Sequence, residues 1–154
     1  MPIPRIIHQV YGTFEDGVDL NNIPIYAQQV CNTRQFCKTE QIKHIMWDSK
    51  ACRDLLDKYP QYIDLYNNFR EPVMRADFIR YLILFDIGGI YVDCDIAPIQ
   101  SIDHLFEKDE FFVKWNDDKK ELPYNAVLGS VKNSTLYAEI IEHLVTSYQE
   151  KSTM

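Results

Sequence analysis

The sequence predicts an α/β fold with a mixed, mainly parallel central sheet flanked by helices. Three observations predict it. Two short β-prone runs, Ile3–Tyr11 and Gln41–Trp47, are separated by a helical stretch, the order of a parallel strand pair joined by a crossover helix. A long apolar helix then runs through Gly88-Gly89 directly into a third β-prone segment. Finally, 154 residues that are 46% hydrophobic and 25% charged suit a single domain over residues 1–154 with one sizeable core.

The elements follow in order. Ile3–Tyr11 (IPRIIHQVY) is β-branched and mostly apolar, hence a strand, and the polar stretch 12–22 is a loop. Ile23–Phe36 is a helix with Pro24 in its first turn and Tyr26, Val30 and Cys37 at helical spacing. Gln41–Trp47 alternates as a second strand, and Asp48 or Ser49 caps a helix reaching about Lys58. Pro60 opens a short helix over 61–69. Pro72 opens a longer one, Val73–Ile87, polar only at Arg75, Asp77, Arg80 and Asp86 and so largely buried. The next strand carries Asp93 and Asp95 and stops at Pro98. Beyond it are expected a short helix at Ser101–Phe106 and a strand at Glu110–Trp115. A charged loop over 117–123, a strand at Asn125–Val131 and a last helix capped by Ser134, with Glu139 and Glu142 outward, complete the chain.

The chemistry concentrates in Gly88-Gly89-Ile90-Tyr91-Val92-Asp93-Cys94-Asp95-Ile96. Strand alternation sets Tyr91, Asp93 and Asp95 on one face and Val92, Cys94 and Ile96 on the other, toward a core. Two carboxylates on one face repel unless a positive charge lies between them, and a divalent cation holding a phosphorylated ligand is the simplest candidate. Hard oxygen donors suit Mg²⁺ or Mn²⁺ better than zinc. Asp77 and Arg80, three residues apart on the preceding helix, share a face that needs polar partners and can reach the same pocket.

Charge and composition exclude other classes. Asp and Glu number 23 against 16 Lys and Arg, a formal net charge of −7, which argues against a nucleic-acid partner. No apolar run has the length of a membrane span, and the N-terminus lacks a signal-peptide pattern, so a cytoplasmic protein is expected. Cys31, Cys37, Cys52 and Cys94 show no CxxC spacing and are expected as reduced thiols. His8 and His44 have no partner at metal-ligand spacing and are expected to be satisfied within their strands.

The stretch RADFIRY at 75–81, followed by GGIYVDCD, resembles the DxD sugar-binding region of a glycosyltransferase family. That family includes yeast-type mannosyltransferases, lactosylceramide galactosyltransferase-like enzymes and, more distantly, the clostridial glucosylating toxins. IPRIIHQVYG at 3–12 and IMWD at 45–48 are similar to its first and second strands. The resemblance implies a GT-A-like, Rossmann-type fold with ligands at the strand carboxyl ends. It implies metal-dependent transfer, with retention of configuration, of a sugar from a nucleoside-diphosphate donor (UDP-sugar favoured, GDP-mannose the other candidate) to a glycan or protein acceptor. Asp93 and Asp95 would hold Mn²⁺ or Mg²⁺, and with Arg80 they are the catalytic candidates. Gln9, Val10, Tyr11, Asp77, Arg80, Tyr91, Asp93 and Asn125 are the donor-binding candidates, with Tyr11 placed to stack on a nucleobase. Family members commonly continue into a later segment that closes over the donor, so the domain is expected to be short at its C-terminus. Two other readings stay open: a nucleotide-sugar-binding module without turnover, and an aspartyl-phosphate phosphatase, against which Ala97 stands where a hydroxyl residue is expected.

Overall fold

A computed structural model describes residues 1–13, 19–117 and 120–152. Its strands are β1 (Ile6–Val10), β2 (Lys43–Trp47), β3 (Gly89–Val92), β4 (Glu110–Asp117) and β5 (Lys120–Ser130). They form one sheet in the order β2-β1-β3-β5-β4. β1 pairs in parallel with both β2 and β3, while β5 is antiparallel to β3 and to β4. β5 alone therefore runs against the others, and the sheet is mixed and mainly parallel.

The helices are α1 (Pro24–Thr39), α2 (Ser49–Leu56), α3 (Ile63–Asn68), α4 (Pro72–Ile87), α5 (Asp103–Phe106) and α6 (Thr135–Ser152). They cover both faces of the sheet. On one face Val10, Trp47, Tyr91 and Leu128 pack with α2, α3, α4 and α6; on the other Ile7, Ile90 and Val92 pack with Cys37 of α1 and Phe106 of α5. Alternation along β1 and β3 thus feeds two cores from the same strands. The caps form as the residue types require. Asp48 accepts from the Ala51 amide at 2.8 Å, Pro72 opens α4, and Ser134 Oγ accepts from the Tyr137 amide at 3.4 Å.

The turn between α4 and β3 uses both of its glycines. Gly88 has φ 75° and Gly89 φ 116°. A Cβ on Gly89 would lie 2.8 Å from His8 Nε2 and from the Ile6 carbonyl oxygen. Only glycine allows the strand to start this close behind the helix.

Four expectations need correction. β1 begins at Ile6, not Ile3, because the Ile3 amide donates to the carbonyls of Phe106 and Lys108 instead of to the sheet. The helix expected over 61–69 is divided into a 3-10 turn, Pro60–Tyr62, and α3. The charged segment 117–123 is not a loop: β4 reaches Asp117 and β5 starts at Lys120, since a hairpin ladder satisfies the backbone whatever the side chains are (118–119 lie outside the described residues). Most consequentially, β3 ends at Val92, so Asp93 and Asp95 are not strand residues. The Asp93 amide still donates to the Ala126 carbonyl at 2.8 Å, but its own carbonyl accepts from the Ile96 amide at 3.1 Å and closes a turn.

Candidate active site

The chain leaves β1 for β2 on one side and later returns to β3 on the other. The carboxyl ends of β1 and β3 therefore lie at a point where the connections diverge, where open α/β sheets hold ligands. A cavity of about 380 Å³ lies there. Val10, Tyr11, Gly12 and Thr13 line it from the end of β1, and Tyr91, Asp93, Cys94 and Asp95 from the end of β3. Arg80 and Ala76 of α4 and Tyr26 of α1 complete the wall. The turn at 93–96 thus brings both aspartates to one cavity, the result that strand alternation was expected to give by another route.

Arg80 is the hub. Its side chain is only 4% exposed, and its Nη2 lies 2.8 Å from Asp77 Oδ1 and 3.4 Å from Asp93 Oδ1. Nη1 donates to the Asn125 carbonyl at 2.7 Å, Nε donates to the Ala76 carbonyl at 3.2 Å, and the guanidinium lies 4.5 Å from the centre of the Tyr91 ring. A buried cation needs this density of partners. The Tyr91 hydroxyl donates to Asp93 Oδ1 at 2.7 Å. Burial pushes the Tyr91 phenol well up, so it stays protonated and remains a donor.

Burial also raises the Asp93 carboxyl; Arg80 and the Tyr91 hydroxyl pull it down, and Asp95 and Asp77 push it up. Asp95 is exposed and makes no hydrogen bond or ion pair among the described residues. With two carboxylates paired to one guanidinium and a third, Asp95, lining the same cavity, the site is net negative and calls for a cation. Among the described residues no group of three or more His, Cys, Asp or Glu could enclose a metal by itself. Asp93 and Asp95 could instead supply two oxygen donors to an ion that takes its other ligands from substrate phosphate and water, as Mg²⁺ or Mn²⁺ would. The residues fit that ion.

Not every candidate opens into this cavity. Gln9 is fully buried behind it: its Nε2 donates to the Asp93 carbonyl at 3.3 Å and its Oε1 lies 2.9 Å from His44 Nε2. The expected donor contact is corrected to a support for the Asp93 turn. Cys94 Sγ donates to the Val10 carbonyl at 3.4 Å and Thr33 Oγ1 to the Ile96 carbonyl at 3.3 Å, so the turn is tied to β1 and α1. Asp77 and Asn125 line a neighbouring cavity and meet the first through Arg80; Asn125 Nδ2 donates to Asp77 Oδ1 at 3.2 Å.

Sequence reasoning missed Tyr26, assigned to the core stripe of α1. It reaches the cavity and meets Tyr11 edge-on, ring centres 6.1 Å apart at 81°. An aromatic in the first turn of a helix that follows the β1 loop was the available signal. Thr13 was missed as well; its hydroxyl donates to the Pro72 carbonyl at 3.3 Å and seals the wall against α4.

Behind the site, Trp47 Nε1 donates to His8 Nδ1 at 3.0 Å, which fixes the proton of His8 on Nε2, 2.9 Å from the Gly88 carbonyl. Burial lowers the His8 pKa to about 4, so the ring is neutral near pH 7. Both histidines are satisfied within the sheet, as expected.

The profile of the glycosyltransferase sugar-binding region containing a DXD motif matches residues 20–112, which include Asp77, Arg80, Asp93 and Asp95. The chain belongs to this glycosyltransferase family. It is 32% identical to a mannosyl phosphorylinositol ceramide synthase of Saccharomyces cerevisiae, over 92% of this chain and 35% of that protein. It is 30% identical to an inositol phosphoceramide mannosyltransferase of Schizosaccharomyces pombe, over 92% of this chain and 38% of that one. An uncharacterized glycosyltransferase of Acanthamoeba polyphaga mimivirus is 26% identical, over 99% of this chain and 59% of the other. The chain thus spans little more than a third of the length of the two yeast relatives. The fold is shared with the PaToxG glycosyltransferase at a TM-score of 0.64 and 18% identity, covering 97% of this chain and 63% of that one. The GT-A-like expectation for the fold holds. No helix among the described residues is long and apolar enough to cross a membrane.

Proposed function

We propose that the chain binds a nucleoside-diphosphate sugar with Mn²⁺ or Mg²⁺ at the 380 Å³ cavity and transfers the sugar to an acceptor hydroxyl. The observation that carries the reading is the Asp93–Arg80–Asp77 cluster, net negative and open on the Asp95 side. Asp95 and Asp93 would hold the ion, which would supply positive charge to the departing diphosphate.

The chain's own side chains do the rest. Tyr91 orients Asp93 through a hydrogen bond that does not titrate near neutrality. Arg80 is immobilised by five groups, so it costs little reorganisation when charge develops beside it. Tyr11 and Tyr26 offer ring surface at the opposite end of the cavity, fitted to a nucleobase. The curated relatives named above include mannosyltransferases, which puts a mannose donor beside the UDP-sugars in the first rank of candidates. Retention of configuration rests on the family likeness alone.

The test is a panel of UDP- and GDP-sugars, with and without Mn²⁺, read as calorimetric binding and as nucleotide release. Metal-dependent binding with release is expected. Metal-independent binding, or none with any donor, sinks the reading; metal-dependent binding without release converts it to a binding module. Tyr11→Ala is expected to weaken donor binding by about tenfold, the worth of one stacking contact.

A further inference from the structure

A second cavity of about 310 Å³ lies between the end of α3, α4 and α6. We infer that it holds the acceptor, and that the acceptor is an uncharged amphiphile: a hydroxylated end against Asp77 and Asn125, an apolar part along the aromatic floor. The inference rests on the donor reading above and deepens it.

The first ground is continuity. A chain of polar groups links the two cavities. Tyr91 bonds Asp93, Asp93 pairs with Arg80, and Arg80 pairs with Asp77. Asp77 accepts from Asn125, and both line the second cavity together with Tyr81. A donor whose diphosphate lies at Asp93 and Asp95 points its sugar toward Arg80, and the other side of the Arg80–Asp77 pair is the second cavity. An acceptor hydroxyl must come within about 3–3.5 Å of the reacting carbon, so its binding site has to adjoin this partition.

The second ground is chemistry. Phe69, Met74, Phe78, Leu144 and Tyr148 make most of the wall, and Asp77 and Asn125 gather the polar groups at the donor end. Among the described residues of that lining Asp77 is the sole charged one, and its side chain is 44% exposed. An anionic headgroup would find a like charge and, among those residues, no cation, whereas hydroxyls find an acceptor in Asp77 and ring faces for the apolar part.

The experiment titrates the protein, below micellar concentrations, with methyl, hexyl and octyl glucoside and with hexyl phosphate as the anionic comparison. A buried methylene is worth up to about fourfold in affinity. The expected result is at least a tenfold gain from methyl to hexyl, hexyl phosphate at least tenfold weaker, and nuclear Overhauser contacts from alkyl protons to the Phe69 and Tyr148 rings. Ser147→Trp, at the cavity lining, is expected to remove the chain-length gain; the contacts on the unaltered protein decide the matter if that variant does not fold. Affinity independent of chain length, contacts elsewhere on the protein, or hexyl phosphate bound as tightly overturns the inference. Binding of UDP with Mn²⁺ is measured separately. Donor binding without glucoside binding overturns the acceptor site alone, and glucoside binding without donor binding overturns the donor reading alone.

Discussion

Two polar networks share the face of β1 and β3 that carries Val10 and Tyr91, and they differ in what they leave unfinished. Behind the sheet end, Trp47, His8 and the Gly88 carbonyl form a closed, neutral chain in which the imidazole uses both nitrogens. In front, Asp77, Arg80, Asp93 and Tyr91 form a charged chain whose sum is negative, and an exposed Asp95, without a partner among the described residues, lines the same cavity. Both are buried among aromatic rings. The closed network holds the double-glycine turn in place; the open one has capacity left for a ligand. Incomplete satisfaction, rather than polarity or burial, separates the site from its scaffold.

That contrast can be broken most severely at Arg80. Arg80→Ala leaves Asp77 and Asp93 without their cation, and a loss of about 3–5 kcal/mol in unfolding free energy is expected from urea denaturation, with donor binding lost as well. Asp95→Asn should do the reverse. Removing an exposed carboxylate with no partner among the described residues leaves the melting temperature unchanged, while metal-dependent nucleotide release falls at least ~10²-fold. A drop in both measures would show Asp95 to be part of the scaffold.

The closed network is tested by pH. The His8 pKa falls from 6.5 to about 4 on folding. Between those values the unfolded chain binds the proton and the folded chain does not, so stability falls as pH drops from about 6.5 toward 4, by roughly 3 kcal/mol in all. His8→Gln keeps an acceptor for Trp47 and should remove that part of the pH dependence, measured as the difference between the two denaturation series. The smallest effect is expected at Tyr91. The Asp93 carboxyl is already raised by burial, and the Tyr91 hydrogen bond holds it down. Mn²⁺ binding should therefore weaken, as pH falls, at a higher pH than for an ordinary aspartate, and Tyr91→Phe should move that loss to higher pH still. A shift to lower pH would contradict the role given to the hydroxyl.

Much of this was legible in the chain. Pro72 and Gly88 bracket α4 because proline is pre-set for a first helical turn and glycine for the left-handed exit. Asp77 and Arg80 do meet, since three residues apart on a helix makes neighbours. The DxD pair was right in its destination and wrong in its path. Alternation assumes that the strand continues, and β3 stops at Val92 because the Asp93 carbonyl turns to the Ile96 amide. Gln9 was misplaced for a similar reason: motif membership puts it near the site, but which face of β1 it occupies decides whether it meets a ligand or holds a backbone.

The sequence by itself determined the α/β order, the double-glycine entry to β3 and the residues able to hold a cation and a diphosphate. These depend on local geometry and residue chemistry, which act over a few positions. Only the tertiary structure decided that Arg80 couples Asp77 to Asp93, that Asn125 carries the polar chain to a second cavity, and that Tyr26 faces Tyr11. Apart from the Asp77–Arg80 pair, those contacts join residues 13 to 48 positions apart, and the packing of α1 and α4 against the sheet, not the spacing along the chain, sets their distances.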